Sequence, residues 1–121
     1  MITNFENETP ELNDKELAIL PVVIHGFRHY KKDNPIKANL IVKRLNVYLL
    51  EHNHKIKMTD VRLRKMINYI RSNSLLPLIA TSKGYFTSNN KKEIADQIKS
   101  LLERARSIER CAKGLNKYLE E

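Results

Sequence analysis

Apolar residues recur at helical spacing in four stretches of this chain, and a fifth stretch is short and rich in β-formers. Leu17, Leu20, Ile24 and Phe27 are spaced 3, 4 and 3, which predicts the apolar face of a first helix over residues 14–30. Asn13 or Asp14 is placed to cap it, and Pro21 should kink or re-start it. KKDNP, residues 31–35, reads as a loop. A second helix follows over residues 38–52. Leu40, Ile41, Leu45, Tyr48 and Leu49 form its stripe, and Lys37, Lys43 and Arg44 its polar side. Ile36, just before it, is placed to form a β-bridge to a hairpin further along.

The third helix is predicted over residues 60–73. Thr59 is its N-cap, and Asp60 suits the positive end of the helix. Leu63, Met66, Ile67 and Ile70 cluster on one side, leaving Val61, Arg64, Lys65, Asn68 and Ser72 opposite. Pro77 ends any helical continuation. Residues 78–80 and 85–87 then read as two short strands joined through Thr81, Ser82, Lys83 and Gly84, with Gly84 supplying the positive φ of a tight turn. The last element is a long helix over residues 91–119, capped by Asn89 or Asn90. Its apolar positions Ile94, Ile98, Leu101, Ala105, Ile108, Ala112, Leu115 and Leu119 keep an unbroken 4, 3 alternation, a heptad register. Gly114 is a mild weakness within it.

The predicted fold is therefore mainly α with a small β-hairpin, an α+β arrangement in three parts. Residues 1–12 form an acidic flexible arm, residues 13–90 a helical domain with its hairpin, and residues 91–121 a long C-terminal helix for packing or dimerisation.

Charge changes this picture most. The net charge of +8 is spread unevenly. Residues 1–16 carry five acids against one lysine, and residues 93–121 are balanced at six of each sign. Residues 17–92 carry fifteen Lys/Arg against three acids, so the whole excess surrounds the third helix and the hairpin. A concentrated excess points to a polyanionic partner, where a uniform one would point only to solubility. At 121 residues and 41% hydrophobic the chain can bury one core. A single cysteine, Cys111, rules out an intrachain disulfide and suits a reducing cytoplasm. The acidic N-terminus lacks the apolar stretch of a signal peptide, and no apolar run reaches membrane-spanning length. A cytoplasmic protein is the expectation.

The chemistry of the third helix fits such a partner. Arginine and lysine read guanine, asparagine reads adenine, and a small apolar group touches the thymine methyl. Arg64, Lys65, Asn68 and Val61 are the candidate base contacts. Thr59, Arg62, Arg71, Lys83, Lys43 and Arg44 are the candidate backbone contacts. Other chemistries find little footing. His25 and His29 stand four apart, but glycine at position 26 breaks the HExxH pattern, so no metal site is expected. Three glycines in the whole chain leave no phosphate-cradling loop, and no nucleophile motif or carboxylate pair stands out. Neither an enzyme nor a cofactor is expected.

The order helix, helix, helix, two-stranded hairpin resembles winged helix-turn-helix proteins. DVRLRKMINYIR (residues 60–71) and LPLIATSKGYF (residues 76–86) look like small winged-helix proteins of bacterial phages and mobile elements. In those a similar wing leads into a long helix, as SLLERARSI (residues 100–108) does here. The likeness spans residues 13–119 and is sharpest at 63–71 and 83–86. It implies double-stranded DNA binding in regulation, replication or maintenance of a phage or mobile element, with no catalytic residues. The loop at 51–58 is longer than the usual helix-turn-helix turn. Two further readings stand beside it. One is a protein–protein adaptor that uses the heptad helix. The other, single-stranded nucleic acid binding, is disfavoured by the few aromatics among the basic residues. The heptad helix itself has two open fates, folding back on the first helix or pairing two protomers as a homodimer.

Overall fold

The computed structural model describes residues 11–120. They form four α-helices and one β-hairpin, mainly helical with a small antiparallel sheet. The helices are α1 (Asp14–Arg28), α2 (Ala38–Glu51), α3 (Asp60–Ser72) and α4 (Lys91–Asn116), the last followed by a 3₁₀ turn, Lys117–Glu120. Strands β1 (Leu78–Thr81) and β2 (Gly84–Thr87) lie between α3 and α4. The chain divides into two compact units at Ser88. Among the described residues, no helix is long and apolar enough to cross a membrane.

Helices α1 and α3 start at side-chain caps, whereas α2 starts at Lys37 with no side-chain cap. Asn13 caps α1 in a full capping box. Its side chain accepts from the Glu16 backbone N–H at 2.8 Å, and the Glu16 carboxylate accepts from the Asn13 N–H at 3.0 Å. Thr59 caps α3 by accepting from the Arg62 N–H at 3.1 Å. Helices α2 and α3 both end in Schellman turns, with Asn53 and Ser74 in the left-handed region at φ 59° and 55°. The His54 N–H reaches the Leu49 carbonyl, and the Leu75 N–H that of Ile70, both at 2.9 Å. Pro21 does not re-start α1: the helix runs through it from Asp14 to Arg28.

The core of this unit is built from one face of each helix. Ile19, Val23 and Phe27 of α1 meet Ile41, Leu45 and Leu49 of α2 and Leu63, Met66, Ile67 and Ile70 of α3, with Leu78 from the hairpin. The α3 face agrees with the sequence pattern at all four positions. The α1 face does not. Leu17 is 43% exposed and Leu20 and Ile24 are only half-buried, while Glu16, Ile19 and Val23 point inward. Helix α1 is apolar nearly all round between Leu17 and Ile24, so spacing alone did not settle which stripe faces in. On α2, Leu40 and Tyr48 of the expected stripe are likewise exposed, at 40% and 41%. The acidic arm falls mostly outside the described residues, but Leu12 is buried in the core and is no part of a loose arm.

The hairpin is tied to the helices at its tip. Its register pairs Leu78 with Thr87 and Thr81 with Gly84, leaving a two-residue turn of Ser82 and Lys83. Ile36 forms the expected bridge to Tyr85, donating at 2.9 Å and accepting at 2.8 Å. Gly84, at φ +130°, lies so close to this bridge that a β-carbon would fall 2.5 Å from the Ile36 carbonyl oxygen. Glycine is required there twice, for its dihedral and for the close approach. The Lys37 ammonium donates to the Ser82 carbonyl at 2.9 Å, fixing the turn from the α2 side.

Helix α4 forms the second unit. Asn90 caps it, accepting from Lys92 and Glu93 N–H groups at 2.9 and 3.1 Å. None of its residues is buried.

Candidate nucleic-acid interface

Helix α3 is held from beneath and leaves one stripe outward. Its four buried residues anchor it against α1, α2 and β1. On the opposite side Val61, Arg64, Asn68 and Ser72 are exposed, spaced 3, 4 and 4 along the helix. Val61 is 69% exposed. The Arg64 guanidinium is 65% exposed and lies 3.7 Å from Asp60 one turn earlier, a loose surface pair that contributes little and yields readily. Three of the four candidate base-reading residues thus stand together on one accessible stripe.

Lys65 sits differently from the position that the helical projection gave it. Its ammonium donates to the Glu16 carboxylate at 2.8 Å, and its side chain is only 24% exposed. Arg62 does the same from the preceding turn. Its Nε donates to the other Glu16 oxygen at 2.8 Å, and one terminal nitrogen donates to the Lys57 carbonyl at 2.7 Å. Glu16 is 2% exposed and receives these two cations as well as the Asn13 N–H. Burial pushes its carboxyl up. Hydrogen bonds from Lys65, from the Asn13 backbone and from Arg62 outweigh that, and the Lys65 charge adds to them. The carboxyl is lowered to about 2 from an ordinary 4.5. This clamp joins α1 to the flank of α3 and neutralises part of that flank.

The remaining candidate backbone contacts divide in two. Lys83 at the hairpin turn and Lys43 on α2 are exposed. Thr59 is exposed but its hydroxyl oxygen is engaged as the α3 cap. The Arg71 Nε donates to the Leu78 carbonyl at 3.0 Å, linking the end of α3 to the first strand. Arg44 hydrogen-bonds the Tyr30 hydroxyl and stands 5.9 Å from the centre of its ring. Two exposed lysines that the sequence reading passed over, Lys55 and Lys57, lie in the loop leading into α3. Their signal was present, since they fall within five residues of the Thr59 cap.

A concavity of about 370 Å³ opens between α1 and α2. Its floor is apolar, from Val22, Ile41 and Leu45. At its rim the Nε2 atoms of His25 and His29 stand 3.4 Å apart. Among the described residues no cluster of three metal-binding side chains exists.

Compared with protein-family models, with curated proteins and with solved structures, the chain matches none.

Proposed function

We propose that the first unit is a winged helix-turn-helix module that binds double-stranded DNA through α3, with the hairpin as its wing. The observation that carries this reading is the outward stripe of Val61, Arg64 and Asn68 on a helix anchored by Leu63, Met66, Ile67 and Ile70. A recognition helix needs both properties: a firm underside, and exposed side chains of the types that read base edges. Arg64 suits guanine, Asn68 adenine and Val61 the thymine methyl. Lys83, Lys43, Lys55 and Lys57 supply exposed cations for phosphates. The role served is regulation, replication or maintenance of a phage or mobile element, in the cytoplasm of a bacterial host.

Arg62 and Lys65 act mainly through Glu16 in this reading. They set the angle of α3 and reach a phosphate only from the rim of the interface. Base discrimination falls to Arg64 and Asn68.

A salt titration of binding to short random duplexes tests the proposal. Each phosphate contact adds about 0.9 to the slope of log affinity against log salt, so several contacts give a steep fall. Absence of binding at low salt, or binding indifferent to salt, would overturn it.

A further inference from the structure

Helix α4 carries a heptad seam whose small and large positions alternate in a self-complementary order. With Leu101, Ile108 and Leu115 at one core position of each heptad, the other holds Ile98, Ala105 and Ala112. Two copies can align this seam in two ways. Run parallel, identical positions face each other. Ala105 then meets Ala105 and Ala112 meets Ala112, leaving two hollow layers between bulky ones. Run antiparallel, Ala105 faces Ile108 of the second copy, Leu101 faces Ala112, and Ile98 faces Leu115. Every alanine meets a branched residue in the four central layers, and Ile98 meets Leu115 in the layer at each end, all within the α-helical span Lys91–Asn116.

Charge distinguishes the two alignments only slightly. The parallel form would bring Arg104 beside the second copy's Glu109, an exposed pair of small value. Hollow core layers weigh far more. The antiparallel form sets Arg104 beside Cys111 and Leu102 beside Glu109, with no like charges opposed. Residues 93–121 carry six charges of each sign, so two copies approach without the repulsion that the basic first unit would bring.

The seam is open to such a partner. Ile98, Leu101, Ile108 and Leu115 are 52%, 36%, 56% and 68% exposed, and Leu102 beside them is 51% exposed. Across two copies these side chains offer on the order of 1,000 Å² of apolar surface, the lower limit for a specific interface.

We infer that α4 pairs with α4 of a second copy as an antiparallel two-helix coiled coil, with Ala105 seated against the partner's Ile108. Neither the pairing nor its direction depends on DNA.

Spin labels on the full chain read the direction. With Cys111→Ser removing the native thiol and Lys92→Cys placing the label near the start of α4, the antiparallel register puts the two labels about 43 Å apart along the axis, from 1.5 Å per residue. The parallel register keeps them within about 25 Å, the helix separation plus label length. Sedimentation at about 100 μM is expected to show a dimer, with the long distance by pulsed electron resonance. A monomer at that concentration overturns the inference, and so does a dimer with the short distance.

Discussion

Helices α3 and α4 carry the same kind of sequence and end differently. Both are amphipathic, rich in Lys and Arg, and capped by a hydroxyl or amide side chain at the N-terminus. In α3 the apolar stripe is buried completely, with Leu63, Met66 and Ile70 at zero exposure. In α4 no residue is buried. An apolar period thus announces that a helix has a face to cover, and says nothing about what covers it. For α3 the cover comes from α1 and α2 within the same compact unit, and this fixes its outer stripe as a surface. For α4 no such cover comes from within its own unit.

The contrast is sharpest in stability. Leu63→Ala removes a fully buried side chain at the meeting of three helices and should cost about 2–5 kcal/mol. Ile108→Ala, at a position 56% exposed, should change unfolding of the first unit by less than about 0.5 kcal/mol. Chemical denaturation monitored by circular dichroism compares the two. Equal costs would break the distinction between a covered and an open face.

Next in size is the clamp under α3. The Glu16 carboxyl is lowered to about 2 in the folded chain against an ordinary 4.5, so it favours folding above that ordinary value. This contribution, on the order of 3 kcal/mol, is lost as pH falls from about 4.5 toward 2. Glu16→Gln should therefore be less stable at neutral pH and show a flatter loss through that window. The same substitution releases Lys65 and Arg62, both already partly exposed, and should raise DNA affinity and steepen its salt dependence. If affinity is unchanged, the flank of α3 lies outside the interface.

Smaller again are the effects on recognition. Arg64→Ala and Asn68→Ala should each remove about 1–3 kcal/mol of discrimination between sequences, measured against a selected set of duplexes. Lys83→Ala should instead weaken binding to all of them alike and lower the salt slope by about 0.9. Identical behaviour of the two kinds of variant would contradict the division between base-reading stripe and phosphate-contacting hairpin.

The smallest effect concerns the end of α3. Ser74 holds a left-handed conformation, at φ 55°, that glycine adopts without strain. Ser74→Gly should stabilise the first unit by about 0.5–1 kcal/mol in the same denaturation experiment. A loss of stability would mean that the Ser74 side chain makes a contribution beyond its backbone.

The outer stripe of α3 was legible because its inner face was unambiguous. Four apolar residues at 3, 1 and 3 spacing admit a single orientation, and Val61, Arg64 and Asn68 follow on the far side. The hairpin was legible for a similar reason. Pro77 and Gly84 punctuate it, and the Ile36 bridge to Tyr85 lies where the loop before α2 returns. Lys65 was not legible. Its position on the helical projection is at the border of the stripe, and a long aliphatic side chain can turn either way from there. What turned it inward was an acid forty-nine residues away in sequence. Glu16 could be recognised as a capping-box partner of Asn13, but not as a buried group, because nothing local shows that two cations from α3 will arrive above it.

The sequence by itself determined the order of the helices and strands, the Thr59 cap, the face of α3 and the location of the basic excess. These follow from interactions within a few residues, where spacing and side-chain type suffice. Only the tertiary structure decided which of the apolar stripes on α1 faces inward, which cations are spent on Glu16 and which remain exposed, and that the hairpin turn is held by Lys37. Those outcomes depend on groups distant in sequence meeting across a packed core, where burial of one carboxylate has to be compensated by whichever cations the fold brings within reach.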